Sequence, residues 1–185
     1  MILDELLRPG VSIDPVQTRL QAETIATLIA APVTRAKVSD RDEIVEICKE
    51  EWEEHPQFSF SQERLERKID GILVKGEGVV GIIRRAEIEA IMIMQISQSW
   101  NSTDFCLEEL LNFVRPQYRR STNAKDMIQF AKRCSDELGI PLVIGVVSNE
   151  RTAAKIQLYE RQLGKSCGGV FMYSKKPICP QSASA

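Results

Sequence analysis

Between Leu110 and Leu138 the hydrophobic pattern changes its period, and that change constrains the fold more than any other feature of the chain. Leu110-Leu-Asn-Phe-Val114 is an apolar run of strand length. After it, apolar residues fall at Ala124, Met127, Ile128, Ala131, Cys134 and Leu138, which is helical spacing. The intervening Arg115-Pro-Gln-Tyr-Arg-Arg-Ser-Thr-Asn123 is short, polar and basic. A strand therefore ends, the chain turns, and a helix begins. Such a turn aims unpaired backbone N–H groups outward at the positive end of the helix dipole, which makes an anion site suited to a phosphate or pyrophosphate. Arg119 and Arg120 add formal charge beside the N–H groups of Arg120, Ser121, Thr122, Asn123 and Ala124.

Any such anion site has to be local, because the net charge is −2 and gives no bulk attraction to nucleic acid or membrane. The 185 residues suffice for one domain that buries roughly two-thirds of its unfolded surface. No apolar run approaches the roughly 18 residues needed to span a bilayer, and the N-terminus lacks a basic-then-apolar signal pattern. The five cysteines, Cys48, Cys106, Cys134, Cys167 and Cys179, are odd in number and form no CxxC pair. They read as reduced thiols of a cytoplasmic protein, not as a disulfide framework or zinc site. With His55 the single histidine, no metal site is expected.

Residues 1–31 read as an N-terminal helical arm: a short turn ended by Pro9-Gly10, then a helix capped by Asp14-Pro15 with an apolar stripe of Val16, Leu20, Ile25, Leu28 and Ile29. The arm either packs on the domain or docks to a partner. The domain itself covers 32–176. Val33–Val38 alternates as a strand. A helix over about 42–54 carries Ile44, Ile47, Cys48 and Trp52 inward, and His55-Pro56 ends it. Ser59 or Ser61 starts a second helix through Leu65, Ile69, Ile72 and Leu73. Strands follow at 79–84, 88–96 and 105–114. In the middle one Ile88, Ala90, Met92, Met94 and Ile96 share one face and Ile91 and Ile93 the other, the pattern of a central strand. After the helix over 123–138 come a strand at 141–147, a helix capped by Ser148, Asn149 or Thr152, and a hairpin turn at Cys167-Gly-Gly-Val170 leading to a last strand at 170–174. The Pro/Ser/Ala-rich segment 177–185 reads as a disordered tail.

This order of strand, two helices, three strands, helix, strand, helix and hairpin, with the basic turn after the fourth strand, resembles the GNAT superfamily of acyl-CoA-dependent N-acyltransferases. The likeness covers about Val33 to Ser174. Val114-Arg-Pro-Gln-Tyr-Arg119 is similar to the family's Val-x-Pro-x-Tyr-Arg lead-in. Arg119-Arg-Ser-Thr-Asn-Ala124 matches the pyrophosphate loop, Arg/Gln-x-x-Gly-x-Gly/Ala, at its ends, with Thr122 where the family usually has Gly. Leu158-Tyr159-Glu160 ahead of Gly164 looks like the family's Leu-Tyr-Glu segment, although Gly164-Lys165 replaces the usual Gly-Phe. The Arg-Arg-Ser-x-x-Ala variety also resembles acetyltransferase-like proteins of tailed bacteriophages.

The resemblance implies an α/β (α+β) fold with a mixed, mostly antiparallel sheet and helices on both faces. It implies transfer of an acetyl group from acetyl-CoA, the co-substrate, to an amine on a protein or small molecule, directly within a ternary complex. The fourth and fifth strands would splay, and the pantetheine arm would pair with backbone near Leu111, Asn112, Phe113 and Val114. Tyr159 would protonate the departing thiolate, and Glu109, or Glu108 on the other face, would serve as base. Asn149 or Thr152 would meet the coenzyme ahead of the last helix. His55 is either a lone surface residue or part of the acceptor wall. Glu50, Glu51, Glu53 and Glu54 form either a solvated helix face or an attractor for a cationic amine. The alternative is a GNAT-like fold kept for binding or structure, as a homo-oligomer or a virion protein joined through its N-terminal arm, in the host cytoplasm or the particle.

Overall fold

A computed structural model describes residues 33–54, 58–146 and 152–169. The N-terminal arm, His55, Asn149, the last strand and the tail lie outside the described residues. Among the described residues five strands form one sheet in sequence order: β1 (Thr34–Arg35), β2 (Gly78–Arg84), β3 (Ile88–Gln98), β4 (Phe105–Val114) and β5 (Leu142–Val143). The pairs β1–β2, β2–β3 and β3–β4 are antiparallel, and β4–β5 is parallel. Among the described residues four α-helices accompany the sheet: α1 (Arg41–Glu54), α2 (Gln62–Lys75), α3 (Asn123–Leu138) and α4 (Thr152–Leu163).

The helices begin and end where local chemistry stops them. Ser61, not Ser59, caps α2, and its hydroxyl accepts the Arg64 N–H at 3.4 Å. The last turn of α3 closes on Gly139, whose φ of 66° is the left-handed conformation that glycine adopts without a Cβ penalty. On one face of the sheet Ile44, Ile47, Ile69 and Ile72 of α1 and α2 pack against Val80, Ile82, Ile91, Ile93 and Phe113. On the other face α3 brings buried Met127, Ile128, Phe130 and Ala131 onto β2 and β3. Phe130 comes so close that a Cβ on Gly81 would meet its ring at 2.5 Å, so the glycine lets α3 sit down on β2.

The edge strands are shorter than expected. Of the alternating segment 33–38 only Thr34 and Arg35 pair, and Val38–Asp40 is a 3-10 turn. In the segment 141–147, Leu142 and Val143 are the paired residues among those described. A second difference concerns β3. Arg84 faces Ile88 while Ile83 faces Ala90, so Glu89 is an extra residue, a β-bulge. The bulge reverses side-chain parity, and Ile88 joins Ile91 and Ile93 in the α1–α2 core instead of sharing a face with Ala90, Met92 and Met94.

Candidate active site

A second bulge shapes β4. Met94 faces Glu109 and Ile93 faces Leu111, so Leu110 is the extra residue. Without it, Glu109 and Asn112, three apart, would point to opposite faces. With it, both reach the same group on α4. The Tyr159 hydroxyl donates to the Glu109 carboxylate at 2.8 Å to Oε2, and Asn112 Nδ2–H donates to the Tyr159 oxygen at 3.0 Å. Tyr159 is buried, set on the inward side of α4 with the spacing its sequence implied. Glu108 takes the other face, where it accepts from Gln95, which in turn accepts from Lys68 of α2. Of the two glutamates, Glu109 is the one brought to the tyrosine.

Burial sets the proton affinities here. Desolvation lifts the Glu109 carboxyl to about 7, partly offset by the Tyr159 hydrogen bond and the charge of Lys155. Tyr159 is also raised, chiefly by desolvation, then by the neighbouring Glu109 charge. Lys155 lies one helical turn before Tyr159 and acts on Glu51 of α1 as well, whose carboxyl is raised mainly by desolvation. A carboxyl that titrates near neutral pH beside a phenol that keeps its proton forms an acid–base pair suited to proton transfer at neutral pH.

β5 pairs with β4 at Leu107 and Glu108, and among the described residues no strand pairs with the outer edge of β4 from Glu109 to Val114. β4 then leads into a 3-10 turn at Pro116–Tyr118 and the start of α3. In this loop the Ser121 hydroxyl donates to the Tyr118 carbonyl at 2.6 Å and accepts the Asn123 N–H at 3.2 Å. The N–H groups of Arg120, Thr122, Ala124 and Lys125 have no hydrogen-bond partner among the described residues. Thr122 has φ −83°, so no positive φ is required where the family's glycine stands. Its hydroxyl donates to Asp126 at 2.7 Å. Buried Asn123 donates to buried Glu89 at 3.0 Å, and Arg85 neutralises that glutamate. The first helical residue is thereby tied to the bulge of β3.

The two arginines of the loop differ. Arg120 is exposed and makes no ion pair among the described residues. Arg119 is held at both ends of its guanidinium by Glu54 of α1, donates to the Val114 carbonyl at 3.1 Å, and lies over the buried Phe113 ring at 5.6 Å. Arg115 pairs with Glu50 at 2.6 Å and with Glu87 at 2.8 Å. The acidic run of α1 is thus a solvated face only in part, at exposed Glu53. Glu50 and Glu54 clamp the loop that follows β4, and Glu51 is partly buried. Thr152 opens α4.

Residues whose importance the sequence did not signal by motif are Asn112, Lys155, Glu89 and Arg115. For Asn112 the signal was there: a lone amide inside an apolar strand has to find a partner. Cysteine chemistry is not favoured. Cys48, Cys106, Cys134 and Cys167 are free thiols, and burial pushes Cys48 up to about 12, far from a reactive thiolate. Among the described residues no group of side chains could hold a metal ion, and no helix is long and apolar enough to cross a membrane.

No protein-family model matches the chain, and no curated protein sequence does. Solved structures do. A predicted acetyltransferase from Clostridium acetobutylicum, solved with acetyl-CoA, has TM-score 0.62 at 15% sequence identity, over 77% of this chain and 94% of that one. The aminoglycoside N-acetyltransferase AAC(6')-Iy, in complex with the bisubstrate analogue CoA-S-monomethyl-acetylneamine, has TM-score 0.62 at 16% identity, over 78% and 97%. An integron cassette protein from the mobile metagenome of Cole Harbour Salt Marsh has TM-score 0.61 at 17% identity, over 77% and 88%. The fold is that of the GNAT acetyltransferases. Identities this low establish the GNAT fold alone. The resemblance to phage-encoded proteins gains no support from these structures.

Proposed function

We propose that the chain is an N-acetyltransferase that moves an acetyl group from acetyl-CoA to an amine, on a protein or a small molecule, by direct transfer. The observation that carries this reading is the hydrogen-bonded pair of Glu109 and Tyr159 at the open edge of β4. The fit to the co-substrate rests on two features of the fold. The start of α3 offers unpartnered N–H groups at Arg120, Thr122, Ala124 and Lys125, which suit a pyrophosphate. Past Glu108 no strand among the described residues pairs with the outer side of β4, and the stretch with Phe113 and Val114 is where an extended amide-bearing arm would lie, the Val114 carbonyl there already accepting from Arg119. Ser121 and Asn123 shape the loop from within, exposed Arg120 supplies positive charge, and Arg119 braces the loop through Glu54. Thr152 and Asn149, on the approach to α4, complete the proposed coenzyme contacts.

Acetyl-CoA supplies the acetyl group as a thioester and leaves as a thiol. Glu109, ionised above about pH 7, takes a proton from the incoming ammonium and leaves a nucleophilic amine. A β4 backbone N–H at the unpaired edge would polarise the carbonyl. Tyr159 then gives its hydroxyl proton to the leaving sulfur and regains one from Glu109 across their hydrogen bond. The second amine proton passes through the re-ionised Glu109 to solvent. One proton ends on the thiol and one in water, so the cycle closes.

Isothermal titration with acetyl-CoA and an assay of thioester consumption over a panel of amines test this. Binding at micromolar to millimolar levels with amine-dependent thiol release is expected; no binding at millimolar acetyl-CoA removes the reading. A second reading, a GNAT fold kept for binding or structure, is favoured by the engagement of Arg119 with Glu54 and by Asp126 in the first turn of α3. Binding without thiol release for any amine would select it.

A further inference from the structure

Asn112 joins the proposed acid–base pair from one side and leaves a buried atom unsatisfied on the other. Tyr159 has a single hydroxyl proton. An ionised Glu109 can only accept, so that proton points to Glu109, and the phenol oxygen must receive its other partner as an acceptor. This orients the Asn112 amide: Nδ2–H faces Tyr159 at 3.0 Å and Oδ1 faces away. Asn112 Oδ1 is buried and has no hydrogen-bond partner among the described residues. Buried acceptors are normally paired, and an orphan next to reacting groups points to a donor that arrives with a ligand. The bulge at Leu110 is what turns this amide toward α4.

We propose that Asn112 is a two-sided positioning residue, whose N–H holds the Tyr159 hydroxyl toward Glu109 and whose Oδ1 receives an N–H of a substrate bound along the open edge of β4. The proposal rests on the acetyl-transfer reading. Its role follows from the proton cycle. When Glu109 has gained a proton it becomes the donor to Tyr159, and the phenol proton is released for the leaving sulfur. The Asn112 N–H keeps the phenol oxygen in place while the direction of that hydrogen bond reverses. The groups that act on Glu109 are Tyr159 and Lys155 of α4; Glu51 of α1 interacts with the same Lys155, and Met94 of β3 lies opposite. The N–H that Oδ1 awaits belongs either to an amide of the coenzyme arm or to the acceptor amine.

The test compares full-length wild type, Asn112→Leu, Tyr159→Phe and the double variant. Turnover is measured over pH, and the Glu109 carboxyl is followed by carbon-detected NMR titration. Asn112→Leu is expected to lower kcat about 10- to 100-fold, part of what a positioned acid contributes. In the Tyr159→Phe background the same change is expected to cost less than about 3-fold, because the residue acts through the phenol. The Glu109 midpoint is expected to rise in Asn112→Leu, since an undirected phenol is a weaker donor to the carboxylate, and to rise less when Tyr159 is already Phe. A raised KM for acetyl-CoA assigns the Oδ1 partner to the coenzyme, and a raised KM for the amine assigns it to the acceptor.

Equal losses in both backgrounds, an unmoved Glu109 midpoint, or two unchanged KM values would each overturn the proposal. If wild type neither binds nor turns over acetyl-CoA, the acetyl-transfer reading fails and the substrate contact falls with it. The NMR midpoint then still decides whether Asn112 governs the hydroxyl. Asn112→Thr, which strands accept readily, provides the same contrasts should the leucine variant not fold.

Discussion

The two faces of β4 are built from one ten-residue strand and serve different ends. Toward α1 and α2, Leu111 and Phe113 pack among isoleucines, with Glu108 and its partner Gln95 further along the same face. Toward α4, Glu109 and Asn112 converge on one phenol hydroxyl in a setting dry enough to lift the carboxyl to about 7. A perfectly alternating strand could not have put both of these residues on one face. The extra residue, Leu110, changes the parity partway along, so Leu111 and Phe113 turn to the α1–α2 core while Glu109 and Asn112 share the other face. The first face stabilises the fold. The second holds a carboxyl out of water at a cost in stability, which is the usual mark of a working site.

Glu109→Gln should separate the two faces most widely. Activity is expected to fall about 10²- to 10⁴-fold, the range for loss of a positioned base. Stability should move the other way. The folded pKa of Glu109, about 7, lies above its ordinary value of 4.5, so the folded protein binds more protons than the unfolded chain between those pH values. Stability is therefore lost as pH rises through that window. The penalty is absent below it and complete above it, at about 3 kcal/mol by linkage. Glutamine carries no such penalty. Chemical denaturation is expected to find the variant more stable than wild type at pH 8, with the gap narrowing toward pH 5. A gap independent of pH would show that Glu109 titrates normally.

On the opposite face, Ile91→Ala should do the reverse. Ile91 is fully buried on the central strand, and its truncation is expected to cost about 2–5 kcal/mol in urea denaturation. Below the unfolding transition the Glu109 midpoint should stay where it is, since β4 and α4 still set its surroundings. A shift of that midpoint would mean that the two faces are not independent.

How far the chain disclosed this depended on the range of the interactions involved. The helices, the three long strands and the strand–turn–helix at Val114–Ala124 were legible because each repeats a local period. Glu109 and Tyr159 were legible only through the family resemblance. The bulges at Glu89 and Leu110 were not, because parity is a property of the pairing partner and not of the strand itself. For the same reason Ile88 was assigned to the wrong face. The clamps Arg115–Glu50 and Arg119–Glu54 join residues 65 positions apart, and α1 alone offers only a charged face. The edge strands were overestimated since alternation at Val33–Val38 records a half-exposed surface, whether or not a neighbour pairs with it.

The loop before α3 sharpens the comparison from outside both faces, and its expected effect is the smallest. Thr122 replaces the family's glycine, and two reasons for a glycine there are separable: a positive φ, or room for a ligand against the backbone. The first is absent, because Thr122 has φ −83°. Thr122→Gly should then bring no relief of strain, and it removes the hydroxyl that donates to Asp126. A loss of roughly 0.5–1 kcal/mol in stability is expected from the freer unfolded chain. The second reason is read by acetyl-CoA affinity in isothermal titration. If the threonine side chain stands clear of the pyrophosphate, the dissociation constant should change by less than about 3-fold, well under the roughly 1.4 kcal/mol of a tenfold change. A tightening of tenfold or more would mean that the Thr122 side chain obstructs the site.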